Sequence, residues 1–387
     1  MSSRRLDVNE NGLRQLQREL SIDGLRKNLL AQEPLLNNCD IKSIAILGTG
    51  PEGMRLANIC QSRGIDIAGV YDGNARKRGM PFAGMSIYPS EALTRLPHDV
   101  PIIIASHRVL GAYESLKALG YTVVPLAYLQ VAAPGKFPPH SFYDGLLEDL
   151  FENRGEYLRL ADLLADNESR DTLNAIVAYR MTLNPMYLRD VIDWNLYGAL
   201  SFGADEVYVD GGTYNGDSIQ FFSEHVGNKY KKVFAFEPDK ETFRVLSKRF
   251  ADDPRVHLFN SGLYSRTGGL GFTADSSRAA KIDPDSASKI DVVSLDDTIA
   301  DQVTFIKMNI EGAEIEALKG SRKIISEYAP KLAISGYHRP SDLWQIPQLI
   351  KELNPKYNLY LRQQDGGIIE SVIYAVLSGL LGNSKSA

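Results

Sequence analysis

The stretch VYVDGGTYNGDSIQFFSEHV, residues 207–226, decides the reading of the fold. Val207, Tyr208 and Val209 are β-branched or aromatic, the residue types that favour a strand. Asp210 stands at the junction with a glycine-rich turn, and the amphipathic run SIQFFSEHV follows. A strand feeding a helix through such a turn is the unit of open parallel sheets, whose ligands lie beyond the carboxyl ends of the strands. Working outward toward the C-terminus, KVFAFE, VTFIKMN and KLAIS read as further strands, each followed by a helical pattern, with VHLFN between them. A polar excursion runs from Ser265 to Asp291. The closing YNLYLRQ, a DGG turn and SVIYAV predict an antiparallel hairpin at the edge of the sheet.

Toward the N-terminus, ILGTGPEGMRL repeats the design with Gly48, Gly50 and Gly53 in a G-x-G-x-x-G spacing after the strand SIAIL. Pro51 suits the first turn of a helix. Asp72 ends the next strand, IDIAGVYD, at the place where a dinucleotide's ribose is held. A short strand SIY, a helix from Ser90, the strand VPIIIAS, the helix LGAYESLKAL and the strand YTVVPL complete this first region. Prolines 134, 138 and 139 then break the pattern. The expected organisation is an N-terminal helical segment (1–35), a Rossmann-like domain (36–135), a helical connector (136–203) and a second Rossmann-like domain (204–380). The fold class is α/β, two three-layer domains with mainly parallel sheets.

A chain of 387 residues is long enough for two such cores, and 44% hydrophobic with 24% charged residues is ordinary for a globular protein. The net charge of -5 argues against a nucleic-acid surface. Two cysteines, Cys39 and Cys60, cannot build a disulfide framework and suit a reducing cytoplasm. SVIYAVLSGLLG is apolar but about half of a membrane span.

The two glycine loops differ in chemistry. Asp210, Gly212 and Gly216 make D-x-G-x-x-x-G. A pyrophosphate prefers helix amides without nearby negative charge; a cationic cofactor such as S-adenosylmethionine tolerates a carboxylate there. Glu237, at the tip of the strand in FAFEP, is placed to accept both ribose hydroxyls. A glycine turn kept only for packing is the competing explanation.

From Glu206 to Val376 the chain resembles the FkbM-type methyltransferases, through VDGGTYNGDS, FAFEPDKETF, NSGLYSRTGG, VVSLDD, IKMNIEGAEIEALKG, LAISGYHRPSDLWQIPQLI and LYLR. The resemblance implies a class I S-adenosylmethionine fold. It implies that Asp210, Gly212 and Gly216 line the methionine end of the cofactor, with Gly211, Tyr214, Asp217 and Ser218 in the same loop. Glu237, beside Pro238, would take the ribose, and Asn260, Ser261 and Gly262 would lie by the adenine. Residues 43–130 are similar to the nucleotide-sugar-binding domain of bacterial sugar acetyltransferases, without the hexapeptide repeats of that family. A ligand on Gly48, Gly50, Gly53 and Asp72, with His107 on the same rim, is the implied role. Packing, substrate presentation or pairing of chains in a homo-oligomer are its alternatives.

Past the later strands, Lys307, Asn309, Glu311, Glu314, His338, Arg339 and Asp342 reach the substrate side. His338 is the first candidate general base, since imidazole titrates near neutrality; capping of the next helix, with Ser341 as the better cap, is its bland reading. Glu311 is the second candidate. Asn309 stands where the family usually has aspartate, so it lacks the charge to take a proton or neutralise a metal. His338, Glu311 and Asp342 offer donors for a hard metal ion without diagnostic spacing. Trp344 reads as core, and Lys307 or Arg362 as a reader of an acidic group or as half of an ion pair. The expected activity is O-methylation of a small-molecule or carbohydrate hydroxyl in the cytoplasm, with no nucleic-acid or membrane partner. An NAD-dependent oxidoreductase using the first loop, and a non-catalytic nucleotide-binding or S-adenosylmethionine-binding protein, are the rivals.

Overall fold

The computed structural model describes residues 12–18, 21–33, 36, 40–198, 200–273, 281–282, 289–364 and 370–377. These residues form two compact units, one from 12–158 and 171–192, the other from 159–170, 193–364 and 370–377. Both are α/β. Cys39, the DGG turn and the apolar end after Leu377 lie outside the described residues.

In the first unit, α1 (Gly12–Gln17) and α2 (Ile22–Ala31) precede β1 (Ser43–Leu47). The Ser21 hydroxyl caps α2 by accepting from the Gly24 amide at 2.9 Å. Then come α3 (Pro51–Arg63), β2 (Asp66–Asp72), β3 (Pro81–Phe82), β4 (Met85–Pro89), β5 (Ile102–Ile104), α4 (Leu110–Ala118), β6 (Val123–Pro125) and α5 (Leu126–Ala132). The strand order is β3-β4-β2-β1-β5-β6, parallel except between β3 and β4. Ile44, Ala45 and Ile46 are buried on both faces of β1, as a central parallel strand requires. The order reverses at β1, so the glycine loop after it sits at a switch point. The run from Ser90 to Arg95 is a 3-10 helix rather than an α-helix, and it buries Leu93 alone.

Helices α6 (Leu146–Glu152), α7 (Arg154–Leu163) and α8 (Asn167–Thr182) occupy the expected connector. Residues 136–203 do not make a body of their own. Within the first unit α6 packs on α2. Within the second, Ala165 donates its amide to the Leu359 carbonyl at 2.9 Å. The two-residue β7 (Ile192–Asp193) follows.

The second unit contains β8 (Val207–Gly211), α9 (Asp217–His225), β9 (Lys232–Phe236), α10 (Lys240–Arg249), β10 (Val256–Phe259), β11 (Gly262–Leu263), β12 (Gly268–Thr273), β13 (Lys281–Ile282) and β14 (Lys289–Val293). It continues with α11 (Leu295–Thr298), β15 (Phe305–Met308), α12 (Glu314–Lys319), α13 (Arg322–Tyr328), β16 (Lys331–Ser335), α14 (Asp342–Leu353), β17 (Asn358–Gln364) and β18 (Ser371–Val376). Seven strands run in the order β10-β9-β8-β15-β16-β18-β17. All neighbours are parallel except β18, which is antiparallel to β16 and to β17. Tyr208, Phe222 and Phe305 stack beneath the sheet, Tyr208 and Phe305 with ring centres 4.8 Å apart. The polar excursion carries more order than its composition suggests: β12 and β13 within it join β11 and β14 at its borders in a small separate sheet. Its glycine-rich strand GGLGFT lacks the apolar alternation that marks strands in sequence.

Candidate active site

In the second unit the sheet order reverses between β8 and β15, which puts the loops after β8, β9 and β15 at one rim. The Gly212 and Thr213 amides donate to the Phe236 carbonyl at 3.1 and 3.2 Å, stitching the loop to the end of β9. Gly212 has φ 72, and a Cβ there would lie 2.0 Å from the Asn309 carbonyl oxygen; one at Gly216 would lie 2.4 Å from the Phe250 ring. The demand for glycine at both positions comes from the chain's own close packing.

Asp210 does not face an opening. Its side chain is fully buried, and the parallel register of β8 and β15 sets it opposite Lys307. The Lys307 ammonium donates to Asp210 Oδ1 at 2.9 Å and to the carbonyls of Gly211 and Gly212 at 3.2 and 3.0 Å, while Ser218 donates its hydroxyl to Asp210 Oδ2 at 2.5 Å. The Asp210 charge is thus matched inside the protein, by Lys307 and Ser218. The same contacts remove Lys307 as a reader of acidic substrates. Arg362 is likewise held by Asp166 and Glu168, at 2.7 and 2.9 Å.

Glu237 is different. Only 7% exposed at the tip of β9, it accepts the Tyr214 amide on Oε2 and the Asp239 amide on Oε1, each at 2.9 Å. Among the described residues no side chain donates to it. Burial raises its carboxyl above the ordinary range against the pull of these two amides. Asn260 donates to the carbonyls of Glu237 and Pro238 at 2.9 and 3.2 Å, which brings the segment with Ser261 and Gly262 to the same edge. Tyr214 is exposed and holds φ 52, an uncommon conformation for a bulky residue. Asp217 accepts the Ser218 amide at the start of α9.

A second cluster follows β15. Asn309 donates its amide to the Gly211 carbonyl at 3.1 Å and accepts the Tyr337 hydroxyl on Oδ1 at 3.2 Å. Glu311, at φ 55, has its side chain 37% exposed, whereas His338 is 2% exposed and Glu314 1%. Glu314 Oε1 lies 3.0 Å from His338 Nδ1 and accepts the Ile310 amide at 2.7 Å. His338 Nε2 lies 3.8 Å from Glu311 Oε2. Burial alone would lower the imidazole, but Glu314, Glu311 and Asp342 outweigh it and the net shift is upward. Asp342 is pushed up to about 6, first by burial and then by Glu314. Ser341 occupies the N-cap of α14 without a side-chain cap; Asp342 instead accepts the Arg339 amide at 2.8 Å.

Glu314, His338 and Asp342 offer ligand atoms within 4.8 Å of one another. The contact between Glu314 and His338 is that of a buried ion pair. Sequence reasoning placed Glu314 on the substrate side without foreseeing its burial. The signal was present: Ala317 and Leu318, three and four residues on, share its helix face and are buried with it.

In the first unit, Gly48 has φ 110, and a Cβ at Gly53 would lie 2.1 Å from the Gly48 oxygen. Beside Gly50 a side chain would meet nothing within 4 Å. Asp72 is fully engaged: it accepts the Thr49 amide at 3.1 Å, the Thr49 hydroxyl, the Lys77 ammonium at 3.0 Å and the Asn74 amide at 2.8 Å. These bonds overcome burial and hold its carboxyl down at about 2. His107 is partly buried, its ring 6.1 Å from that of Phe142.

Comparison with known proteins bears on both units. Residues 210–365 match the FkbM methyltransferase domain family. The crystal structure of Methyltransferase FkbM from Methylobacillus flagellatus KT is 26% identical, over 92% of this chain and 100% of that one, with a TM-score of 0.69. An rRNA methylase from Streptococcus thermophilus is 18% identical over 51% of this chain and 96% of its own, with a TM-score of 0.31. UDP-D-quinovosamine 4-dehydrogenase from Vibrio fischeri is 24% identical over 25% of this chain and 87% of its own, with a TM-score of 0.21. No curated protein matches the chain. The family match and the Methylobacillus structure support a methyltransferase. The resemblance of residues 43–130 to sugar acetyltransferases is not confirmed by them. Among the described residues, no helix is long and apolar enough to cross a membrane.

Proposed function

We propose that this protein transfers a methyl group from S-adenosylmethionine to a hydroxyl of a sugar, polysaccharide precursor or natural product. The observation that carries the cofactor is Glu237: a buried carboxylate at a switch-point rim that accepts one amide on each oxygen and keeps lone pairs for a vicinal diol. When bound, the cofactor supplies an electrophilic methyl group on a sulfonium. Glu237 reads the ribose, the backbone from Gly211 to Tyr214 borders the methionine end, and Asn260 to Gly262 border the adenine.

On the acceptor side the burial of His338 takes it away from direct contact with substrate. Glu311, one loop nearer solvent, is the group at the rim able to take the hydroxyl proton. Asn309 contributes shape and an acceptor already used by Tyr337, with no charge. The rest of the rate enhancement comes from positioning. The first unit is read as a seat for a nucleotide-linked or sugar-like moiety, with Gly50 as its open position. The acceptor is a small molecule or carbohydrate, and the cytoplasm is the place of action.

Isothermal titration calorimetry of the full chain with S-adenosylmethionine and S-adenosylhomocysteine tests the reading. Binding of both, lost in Glu237→Ala, is expected; no heat from either ligand would sink it. Mass spectrometry of the small molecules that copurify reports on both glycine loops at once.

A further inference from the structure

Two carboxylates and one imidazole form a row from the interior to the rim. Glu314 lies deepest, then His338, then Glu311. One oxygen of Glu314 does two things: Oε1 accepts the amide of Ile310, the residue immediately before Glu311, and faces Nδ1 of His338 at 3.0 Å. The other face of the imidazole, Nε2, looks toward Glu311 Oε2 at 3.8 Å. The same carboxylate thus ties down the backbone that carries Glu311 and the ring that lies behind its side chain. Glu311 needs such restraint, since it holds φ 55 next to Gly312 at φ 93, and left-handed backbone at a non-glycine residue persists only where its surroundings impose it.

We propose that Glu314 is a positioning residue: it holds His338 on its Nδ1 side with Nε2 directed at Glu311, and so keeps the Glu311 carboxylate aimed at the acceptor hydroxyl. This rests on the methyl-transfer reading above. In the step served, the acceptor O–H bond breaks and its proton passes to the Glu311 carboxylate. The new O–C bond forms as the S–C bond of the sulfonium donor breaks, leaving its electron pair on sulfur. His338 keeps its proton throughout. The groups that face the imidazole are Glu314 from α12, Glu311 from the loop after β15, Asp342 from the start of α14, and Arg339 and Tyr337 along its own loop, with the Tyr337 ring 4.3 Å away. Without a charged His338, three carboxylates would share this corner with only the exposed Arg339 to offset them, and repulsion would favour protonating one of them.

The test needs no ligand for its first readout. Full-length protein labelled with 15N-histidine is titrated by NMR as wild type, E314Q, E314D and E311Q, with H338N to assign the resonance. In wild type the His338 ring is expected to carry protons on both nitrogens beyond the ordinary histidine range. In E314Q its midpoint falls by about one pH unit or more, while E314D restores most of the shift. The second readout is transfer of tritiated methyl from S-adenosylmethionine to a deproteinised small-molecule cell extract. E314Q loses about tenfold or more, E314D recovers part of it, and calorimetric affinity for S-adenosylhomocysteine is unchanged. An unmoved His338 midpoint in folded E314Q, checked by its melting curve, overturns the proposal, as does unaltered transfer. Failure of the wild type to bind either sulfur nucleoside instead overturns the methyl-transfer reading, and leaves the His338 titration as a separate result.

Discussion

The carboxylates that end the second strand of each unit, Asp72 and Glu237, sit in the same latch with opposite outcomes. Each accepts an amide from the preceding glycine loop, Thr49 or Tyr214, and an amide two residues further along its own chain, Asn74 or Asp239. At Asp72 the remaining acceptor capacity is taken by the Thr49 hydroxyl and the Lys77 ammonium. At Glu237 it is left. The shift in acidity follows: Asp72 is held low despite burial, and Glu237 is raised by it. A glycine loop followed by an acid at the next strand tip therefore does not specify a ribose site by itself. What decides is whether the protein supplies its own cation.

The largest effect that would break this comparison lies one strand further in. Lys307→Met leaves Asp210 buried and unpaired, and chemical denaturation should show a loss of about 3–5 kcal/mol in the second unit. A neutral result would mean that Asp210 is not held as an anion by Lys307. Next, Glu237→Gln removes a charged acceptor and should weaken S-adenosylmethionine about 10- to 100-fold by calorimetry, equivalent to roughly 1.5–3 kcal/mol, while Asp72→Asn leaves that affinity alone.

The pH dependence sharpens the contrast through its sign. Asp72 has a depressed folded value, so its stabilisation is present above the ordinary carboxylate range and is lost as pH falls through that range toward about 2. Glu237 has a raised folded value, so its protonation favours the fold at acid pH, and that contribution disappears as pH rises through the raised value. Ligand affinity through ionised Glu237 should accordingly decline on acidification earlier than an ordinary glutamate would allow, which calorimetry at stepped pH measures. Smallest of all, Lys77→Met should cost about 1 kcal/mol or less in the first unit, because that ammonium is over a third exposed.

Much of this was legible in sequence. Apolar runs and turn residues located the parallel strands, the terminal hairpin and the position of Glu237, because those signals are local and repeat with the period of the element. The small sheet of β11, β14, β12 and β13 escaped, since its strand GGLGFT carries no alternation. So did the division of the helical residues 136–203 between units, which depends on where their apolar faces find partners. His338 stood out as a base through its chemistry, and only its depth showed that Glu311 holds the exposed end of the row.

By itself the chain's order of residues determined two strand-and-helix sheets, their glycine turns and an acid at each second strand tip, all consequences of periodicity and backbone geometry within short segments. Which acid is saturated, which lysine closes over Asp210 and which carboxylate steadies His338 were decided by tertiary structure. Those pairings join residues such as Asp210 and Lys307, or Glu314 and His338, that meet only when strand register and helix packing bring them together, and a charge acquires its role from the dielectric and the partners it meets there.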